Sequence, residues 1–111
     1  MTDLVGEQWK VWTNLASAIV EAQIDDYKDS ADEIGYILKK KERTKNDYER
    51  LFKKYIILKN ARDFFLSDWC ATLSIGTKMD GKYILEQLEK EYPIDEKKVT
   101  TLIYVYIGVL T

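Results

Sequence analysis

The segment YIILKNARDFFLSDWCATL, residues 55–73, carries the pattern that determines the predicted fold. Here and in the preceding turns, apolar residues recur every three or four positions, which is typical of a helix. One side of this helix carries Tyr48, Leu51, Tyr55, Leu58, Phe65, Trp69 and Leu73. Ile57, Ala61 and Phe64 fill a second sector, so the C-terminal half is apolar around most of its circumference. We therefore predict a central buried helix over about 46–74, with Gly76 as its stop.

Cys70 lies inside this segment and is the only cysteine of the chain, which has no histidine. Its helical neighbours would be Leu66, Ser67, Leu73 and Ser74, none of which is a base. An isolated cysteine without an activating neighbour behaves in most proteins as a small buried apolar residue. We therefore predict that Cys70 is part of the core and not a nucleophile.

The N-terminal segment is also amphipathic. Asp3 is a plausible cap for a helix over about 4–27, and its apolar face carries Trp12, Leu15, Ala16, Ile19, Ala22 and Gln23, with Val5 and Trp9 extending it. Ser30 and Glu33 have the spacing of a capping box, which predicts a break near residue 29 and a new helix start. A continuous helix is the alternative, since Asp and Ser weaken a helix interior only modestly.

The stretch KKKERTKND, residues 39–47, has no apolar side chain and predicts a loop, with Thr44 and Asp47 capping the next helix. A short helix follows Asp80–Gly81, with Tyr83, Ile84, Leu88 and also Leu85 as candidates to face inward, and it ends at Pro93. The last segment, VTTLIYVYIGVLT, suits a final helix, although its β-branched and aromatic residues leave a strand open. Together these patterns predict one all-α domain over 1–111, a compact bundle of four to five helices.

The composition excludes several kinds of chemistry. Without histidine the chain lacks the usual Ser-His-Asp and Cys-His pairs, and one cysteine is too few for a structural zinc site. No glycine-rich phosphate loop occurs. Asp25, Asp29 and Asp32 would share a helix face, which could hold a divalent ion, but adjacent acidic residues on a solvated face are common. We predict a protein that is not an enzyme and has no cofactor or metal.

The N-terminal sequence MTDLVGEQWK is acidic and polar, unlike a signal peptide. The longest apolar run, LIYVYIGVL, has nine residues, and a membrane span needs about 20. A single cysteine cannot form an intramolecular disulfide. These features predict a soluble cytoplasmic protein without membrane contact.

The net charge of −2 conceals a strong asymmetry along the chain. Residues 1–38 carry two basic and eight acidic side chains, residues 39–62 carry ten and three, and residues 63–111 carry five and eight. The candidate binding residues are the basic ones of the middle segment: Lys39, Lys40, Lys41, Arg43, Lys45, Arg50, Lys53 and Lys54. They could balance the acidic N-terminal helix within the fold, bind the phosphates of a nucleic acid, or bind an acidic protein.

The C-terminal segment offers a second candidate surface. Leu102, Tyr106, Val109 and Leu110 are more apolar side chains than one small core is expected to cover. Segment 99–110 therefore predicts a homodimer contact.

Three stretches carry a likeness to known proteins: AIVEAQIDDY (18–27), FFLSDWCATL (64–73) and DGKYILEQLEKE (80–91). Together they resemble small all-helical accessory proteins of unassigned function from phages and prophages of low-GC Gram-positive bacteria. The resemblance implies a viral accessory protein in the cytoplasm of a bacterial host, and it implies no site residues. The charge patches and the surplus of Trp and Tyr, taken with this resemblance, predict that the protein acts by binding a host or phage protein. One specific form of such action is inhibition of a host defence system, as anti-CRISPR proteins do. Nucleic-acid binding through residues 39–54 is the alternative.

Overall fold

Five helices form nearly all of the chain that the structure describes. The computed structural model describes the backbone of residues 2–75 and 80–110 and the side chains of residues 8–75 and 80–108. The helices are α1 (Thr2–Lys39), α2 (Lys45–Phe65), α3 (Asp68–Leu73), α4 (Gly81–Glu91) and α5 (Glu96–Leu110). The described ranges contain no strand, which confirms the all-α prediction and makes the C-terminal segment helical.

The first helix is continuous over 38 residues, so the predicted break near residue 29 is wrong and the alternative is correct. Tyr27, Ala31, Ile34 and Leu38 follow one another at helical spacing and are all buried. Packing of this stripe against α2 stabilises the helix through the acidic stretch, because Asp and Ser oppose a helix interior only weakly. Ser30 is buried inside the helix instead of capping a new one.

The inward face of α1 also differs from the predicted one in its N-terminal half. Ala16 and Val20 are buried, whereas Leu15 is 53% exposed and Ala22 is exposed. The buried stripe is therefore rotated away from Leu15 and Ala22, toward the positions that continue the line of Tyr27.

The cap of α2 matches the prediction, whereas the loop is shorter than the predicted 39–47, because α1 extends to Lys39 and α2 begins at Lys45. Residues 40–44 are non-helical, and Thr44 caps α2. The Thr44 hydroxyl accepts a hydrogen bond from the Asp47 backbone N–H at 3.2 Å, and the Asp47 carboxylate accepts one from the Thr44 N–H at 2.9 Å. This reciprocal capping box satisfies two backbone donors that the first helical turn leaves free.

The helix predicted over 46–74 is interrupted at Leu66 and Ser67. The Ser67 hydroxyl donates to the Phe64 carbonyl at 2.6 Å and accepts from the Cys70 N–H at 3.1 Å, so the same side chain closes α2 and caps α3. Cys70 and Leu73 are buried, as predicted, but Trp69 is 51% exposed. The change of direction at Ser67 removes Trp69 from the buried stripe on which an unbroken helix would have placed it.

The N-terminus of α4 packs closely against the α2–α3 junction. Asp80 caps α4 by accepting a hydrogen bond from the Lys82 N–H at 3.0 Å. A Cβ on Gly81 would collide with the Phe65 carbonyl oxygen and lie 2.7 Å from the Cys70 Sγ. Glycine is therefore required for this close approach. Leu85 and Leu88 are buried, Ile84 is half-buried, and Tyr83, which we expected to face inward, is 60% exposed.

The second helix contacts each of the other four, as α1 also does, and the interface between α1 and α2 is the largest in the fold. Leu51, Leu58, Ala61 and Phe65 of α2 are buried in the core, and Ile57 and Phe64 are half-buried. The molecule measures 64 × 25 × 20 Å and its Cα radius of gyration is 17.9 Å. A compact domain of this length has a radius of about 13 Å. The bundle is thus more elongated than predicted, because α1 extends beyond its partners.

Asp3 was predicted to cap the first helix, but α1 begins at Thr2 and Asp3 lies within it. Three other predicted details lie outside the described side chains: Val5 on the apolar face of α1, the helix stop at Gly76, and the contribution of Val109 and Leu110 to a dimer contact.

Candidate binding surface

The eight basic residues predicted to bind a partner surround the turn between α1 and α2 and the first ten residues of α2. The structure divides them into two groups. Lys40, Arg43 and Arg50 make hydrogen bonds or ion pairs within the fold. Lys39, Lys41, Lys45, Lys53 and Lys54, called the free lysines below, make no hydrogen bond or ion pair with the described residues.

Arg43 caps the C-terminus of α1. Its Nε donates to the Ile37 carbonyl at 3.0 Å and its Nη2 donates to the Leu38 carbonyl at 2.8 Å. The last carbonyls of a helix have no partner within it and carry the negative end of the helix dipole, so a cation is favourable there. Lys98 of α5 donates to the same Leu38 oxygen at 3.0 Å. Arg43 is therefore part of the scaffold.

Lys40 and Asp47 form a second structural contact in the basic segment. The Lys40 Nζ lies 2.8 Å from the Asp47 Oδ1 and also over the ring of Tyr36, 5.2 Å from its centroid. The hydrogen bond from Lys40 holds the pKa of Asp47 below its usual value, and Asp47 in turn raises the pKa of Lys40. Lys40 thus neutralises the carboxylate that caps α2.

Arg50 pairs with Glu33 across the α1–α2 interface. This contact supports the interpretation that the basic segment balances the acidic N-terminal helix. The balance is local, however. Asp25, Asp26, Asp29 and Asp32 are exposed and pair with none of the described residues.

The free lysines do not all lie together. Lys45 and Lys53 lie on the outer face of α2, which also carries Phe52 and Ile56, 42% and 43% exposed. We call Lys45, Phe52, Lys53 and Ile56 the α2 outer face. Phe52 is exposed although it lies at helical spacing between Tyr48 and Tyr55, which are half-buried. Helix α5 packs on α2 at Tyr48, where the rings of Tyr48 and Tyr106 stack with their centroids 5.6 Å apart.

Helix α5 carries the predicted self-association segment. Val99 is buried, and Leu102, Ile103 and Tyr106 are half-buried. The Tyr106 hydroxyl donates to the Glu49 carboxylate at 3.3 Å. Tyr104, Val105 and Ile107 are exposed, at 76%, 50% and 45%. The chain's own core therefore covers Leu102 and Tyr106 in part, and among the described side chains of α5 the uncovered apolar ones are Tyr104, Val105 and Ile107.

Cys70 is 1% exposed, and burial raises the pKa of its thiol, only partly offset by a hydrogen bond to Ser74. This combination suits a core residue, since reactive thiols have a lowered pKa. Within the described ranges, no three acidic or cysteine side chains come close enough to hold a metal ion.

Sequence reasoning missed a polar cluster where four helices meet. Arg62 of α2 forms an ion pair with Glu96 of α5, and its Nε lies 3.6 Å from the Oε1 of Glu89 of α4. Tyr27 of α1 is 1% exposed and hydrogen-bonded to Arg62. Burial raises the pKa of Tyr27, and Arg62 offsets this in part. An open cavity of about 510 Å³ adjoins the cluster, lined also by Tyr92, Pro93 and Ile94.

Neither Arg62 nor Lys98 could be assigned a role from the sequence. Their partners are distant in the chain, such as Leu38, sixty residues from Lys98. Charged residues in a helical pattern give no local signal of which distant group they will meet. Both residues serve to hold helices together.

None of the helices in the described part of the chain is sufficiently long and apolar to span a membrane. Comparison of the chain with protein-family models, with curated proteins and with solved structures gives no match.

Proposed function

We propose that this chain is a non-enzymatic accessory protein of a phage or prophage that acts in the bacterial cytoplasm by binding another protein. Inhibition of a host defence system is the specific form that we propose. The three stretches that resemble phage and prophage accessory proteins support the origin. The observation that carries the mode of action is the α2 outer face, where exposed apolar side chains lie beside unpaired lysines.

The chemistry of this face suits a protein partner. Phe52 and Ile56 are one helical turn apart and more than two-fifths exposed, and aromatic residues are enriched in the core of protein interfaces. Lys45 and Lys53 flank them and favour an acidic partner, because complementary charge at the rim of an interface speeds association and selects the partner. The partner surface should therefore combine an apolar groove with Asp or Glu at its edge.

Nucleic-acid binding is the second candidate, because five lysines of segment 39–54 pair with none of the described residues. The arginines argue against it. Arginine makes the bidentate contacts on which phosphate and base recognition often depend, and Arg43 and Arg50 already bind groups of the fold. A nucleic acid would have to bind through lysines alone, beside exposed apolar side chains that it does not need.

The test uses a double variant and a matched control. Phe52→Ala/Lys53→Glu alters the α2 outer face, and Tyr83→Ala/Lys82→Glu makes the same changes on the exposed side of α4. Each immobilised protein is incubated with nuclease-treated lysate of a phage-infected low-GC Gram-positive bacterium, and the captured protein is purified for binding measurements. We expect the first variant to weaken binding about tenfold or more, and the control to bind as the unaltered chain does.

Two results would count against the proposal. Equal loss of binding in both variants would show that the α2 outer face is not the contact. A gel shift at low salt that Lys41→Glu, Lys45→Glu and Lys53→Glu abolish together, without any captured protein, would favour the nucleic acid. The inhibitor form is tested separately, by plating phage on a host with an active defence system. Expression of the chain should raise plaque counts, and Phe52→Ala/Lys53→Glu should remove the increase.

A further inference from the structure

The first helix has a second apolar face, on the side opposite the bundle. Val11, Leu15, Ala18 and Ala22 are all exposed, with Val11 at 67% and Leu15 at 53%. We call these four residues the outer stripe. At 100° per residue they lie roughly opposite Ala16, Val20 and Tyr27, the buried stripe of the same helix. The surface of α1 therefore carries apolar residues that none of the described parts of α2–α5 covers.

The spacing of the outer stripe is that of a helix–helix seam. Its residues are separated by four, three and four positions, which is the a/d pattern of a coiled coil. The pattern continues at both ends with exposed polar residues, Gln8 before it and Asp25 and Asp29 after it. A surface helix with one packed face typically has charged or polar residues on its opposite side.

We propose that the outer stripe is a dimer interface, in which α1 of one copy pairs antiparallel with α1 of a second copy. The stripe is complementary to itself in this arrangement. Val11 lies opposite Ala22 of the second copy and Leu15 lies opposite Ala18, so each large side chain meets a small one. Two-fold symmetry repeats both pairs, as in the isologous interfaces that are commonest among oligomers.

Charge selects the antiparallel direction. In a parallel pair, Asp25 and Asp29 would each lie directly opposite the same residue of the second copy, and like charges placed close together repel. In the antiparallel pair, Asp25 lies opposite Gln8, whose amide can donate a hydrogen bond to the carboxylate. The arrangement also keeps the two bundles apart, because the buried stripe of each α1 faces away from the seam.

The size of the contact sets its strength. From Gln8 to Asp25 the seam is about 26 Å long, and half of its apolar residues are alanines. An interface of this size lies at the weak end of specific contacts. We expect a dissociation constant of about 10 to 100 µM, which lies between micromolar and millimolar affinity. This dimer differs from one through segment 99–110, and it is independent of the proposed protein partner.

The first test measures mass against concentration, with two variants that are matched in exposure. Leu15→Lys places a charge in the outer stripe, and Val105→Lys does so on α5, where Val105 is 50% exposed. By sedimentation equilibrium, the unaltered chain should approach twice 13.0 kDa as its concentration rises to several hundred micromolar. Val105→Lys should do the same, and Leu15→Lys should stay monomeric with an unchanged helical circular dichroism spectrum.

Two outcomes would overturn the proposal. One is a monomer at every concentration. The other is a dimer that Val105→Lys abolishes and Leu15→Lys does not, which would assign the contact to α5.

The second test determines the direction of pairing with single cysteines. Val11→Cys and Ala22→Cys are oxidised separately and as a one-to-one mixture, with the unaltered chain, whose Cys70 is buried, as control. In the antiparallel dimer identical positions lie about 16 Å apart, too far for a disulfide, so only the mixture should cross-link. Equal cross-linking of each variant alone would show parallel pairing and contradict the proposed seam.

Discussion

The two halves of α1 have the same kind of sequence, but their apolar faces are covered to different extents. In the C-terminal half, Tyr27, Ile34 and Ile37 are at most 1% exposed. In the N-terminal half, Trp9 lies about five helical turns before Tyr27 on the same face, yet it is 48% exposed. The difference arises from the partners. Helix α1 is about 57 Å long and α2 about 31 Å, so α2 cannot cover both halves.

The short α3 contacts the N-terminal half of α1. The rings of Trp12 and Trp69 meet edge to face at 6.5 Å, and Ala16 and Leu73 are buried but lie outside the main core. An apolar stripe thus specifies which face of a helix turns inward, while the lengths of neighbouring helices decide how much of that face is covered.

The largest expected effect tests this contrast directly. Ile34→Ala removes a fully buried side chain from the packed half and should cost about 2 to 5 kcal/mol, because it deletes buried methyl groups and leaves a cavity. Trp9→Ala, on the same face in the open half, should cost only about 1 kcal/mol, since Trp9 is 48% exposed. Urea denaturation at a concentration where the chain is monomeric measures both. Equal losses would contradict the contrast.

Two glycine substitutions compare a closely packed position with an uncrowded one. Gly81→Ala should cost about 1 to 3 kcal/mol, because the new Cβ meets the Phe65 carbonyl and the Cys70 Sγ at the α2–α3 junction. Gly35→Ala on α1 meets nothing within 4 Å and should stabilise the chain by about 0.5 to 1 kcal/mol through helix propensity. Thermal unfolding should therefore shift in opposite directions. If both variants unfolded at a higher temperature, the close packing of α4 on that junction would be in doubt.

Local features of the fold could be predicted from the sequence, and features that depend on distant contacts could not. Thr44 and Asp47 are three residues apart and cap α2 as expected, because a capping box needs only its own turn. The same pattern at Ser30 and Glu33 failed. There, burial of the α1 stripe against α2 outweighs the local signal.

The candidate site follows the same rule. The sequence identified the basic residues 39–54, but it did not separate the free lysines from Arg43 and Arg50, whose partners are set by the fold. It also placed Trp69 in the core. Trp69 is at the right spacing but is 51% exposed, because the helix ends and the chain turns at Ser67.

A pair of serines on α1 gives a smaller effect with the opposite sign. Ser30 is 1% exposed, and its hydroxyl has no partner among the described residues. Ser30→Ala should stabilise the chain by about 1 kcal/mol, because it removes an unpaired buried polar group and raises helix propensity. Ser17, in the open half, is half-buried. Ser17→Ala should therefore stabilise the chain only through the higher helix propensity of alanine, by about 0.5 kcal/mol or less. A loss of stability in Ser30→Ala would mean that the hydroxyl has a partner after all.

The smallest effect, absent at neutral pH, comes from the Tyr27 hydroxyl in the packed half. Burial raises its pKa above the ordinary 10.0, so the unfolded chain releases this proton more readily than the folded one. The contribution of neutral Tyr27 to stability is therefore complete below about pH 10 and is lost as the pH rises toward the folded pKa. The Tyr27→Phe variant has no ionisable group at this position. The lysines titrate in both proteins, so their contribution cancels in the stability difference between the variant and the unaltered chain. The stability difference between the two proteins, measured in urea, should be constant below about pH 9.5 and move in favour of Tyr27→Phe above it. If this difference stayed constant through about pH 11, the Tyr27 hydroxyl would be in contact with solvent. The cavity beside Arg62 would then admit water to the packed half.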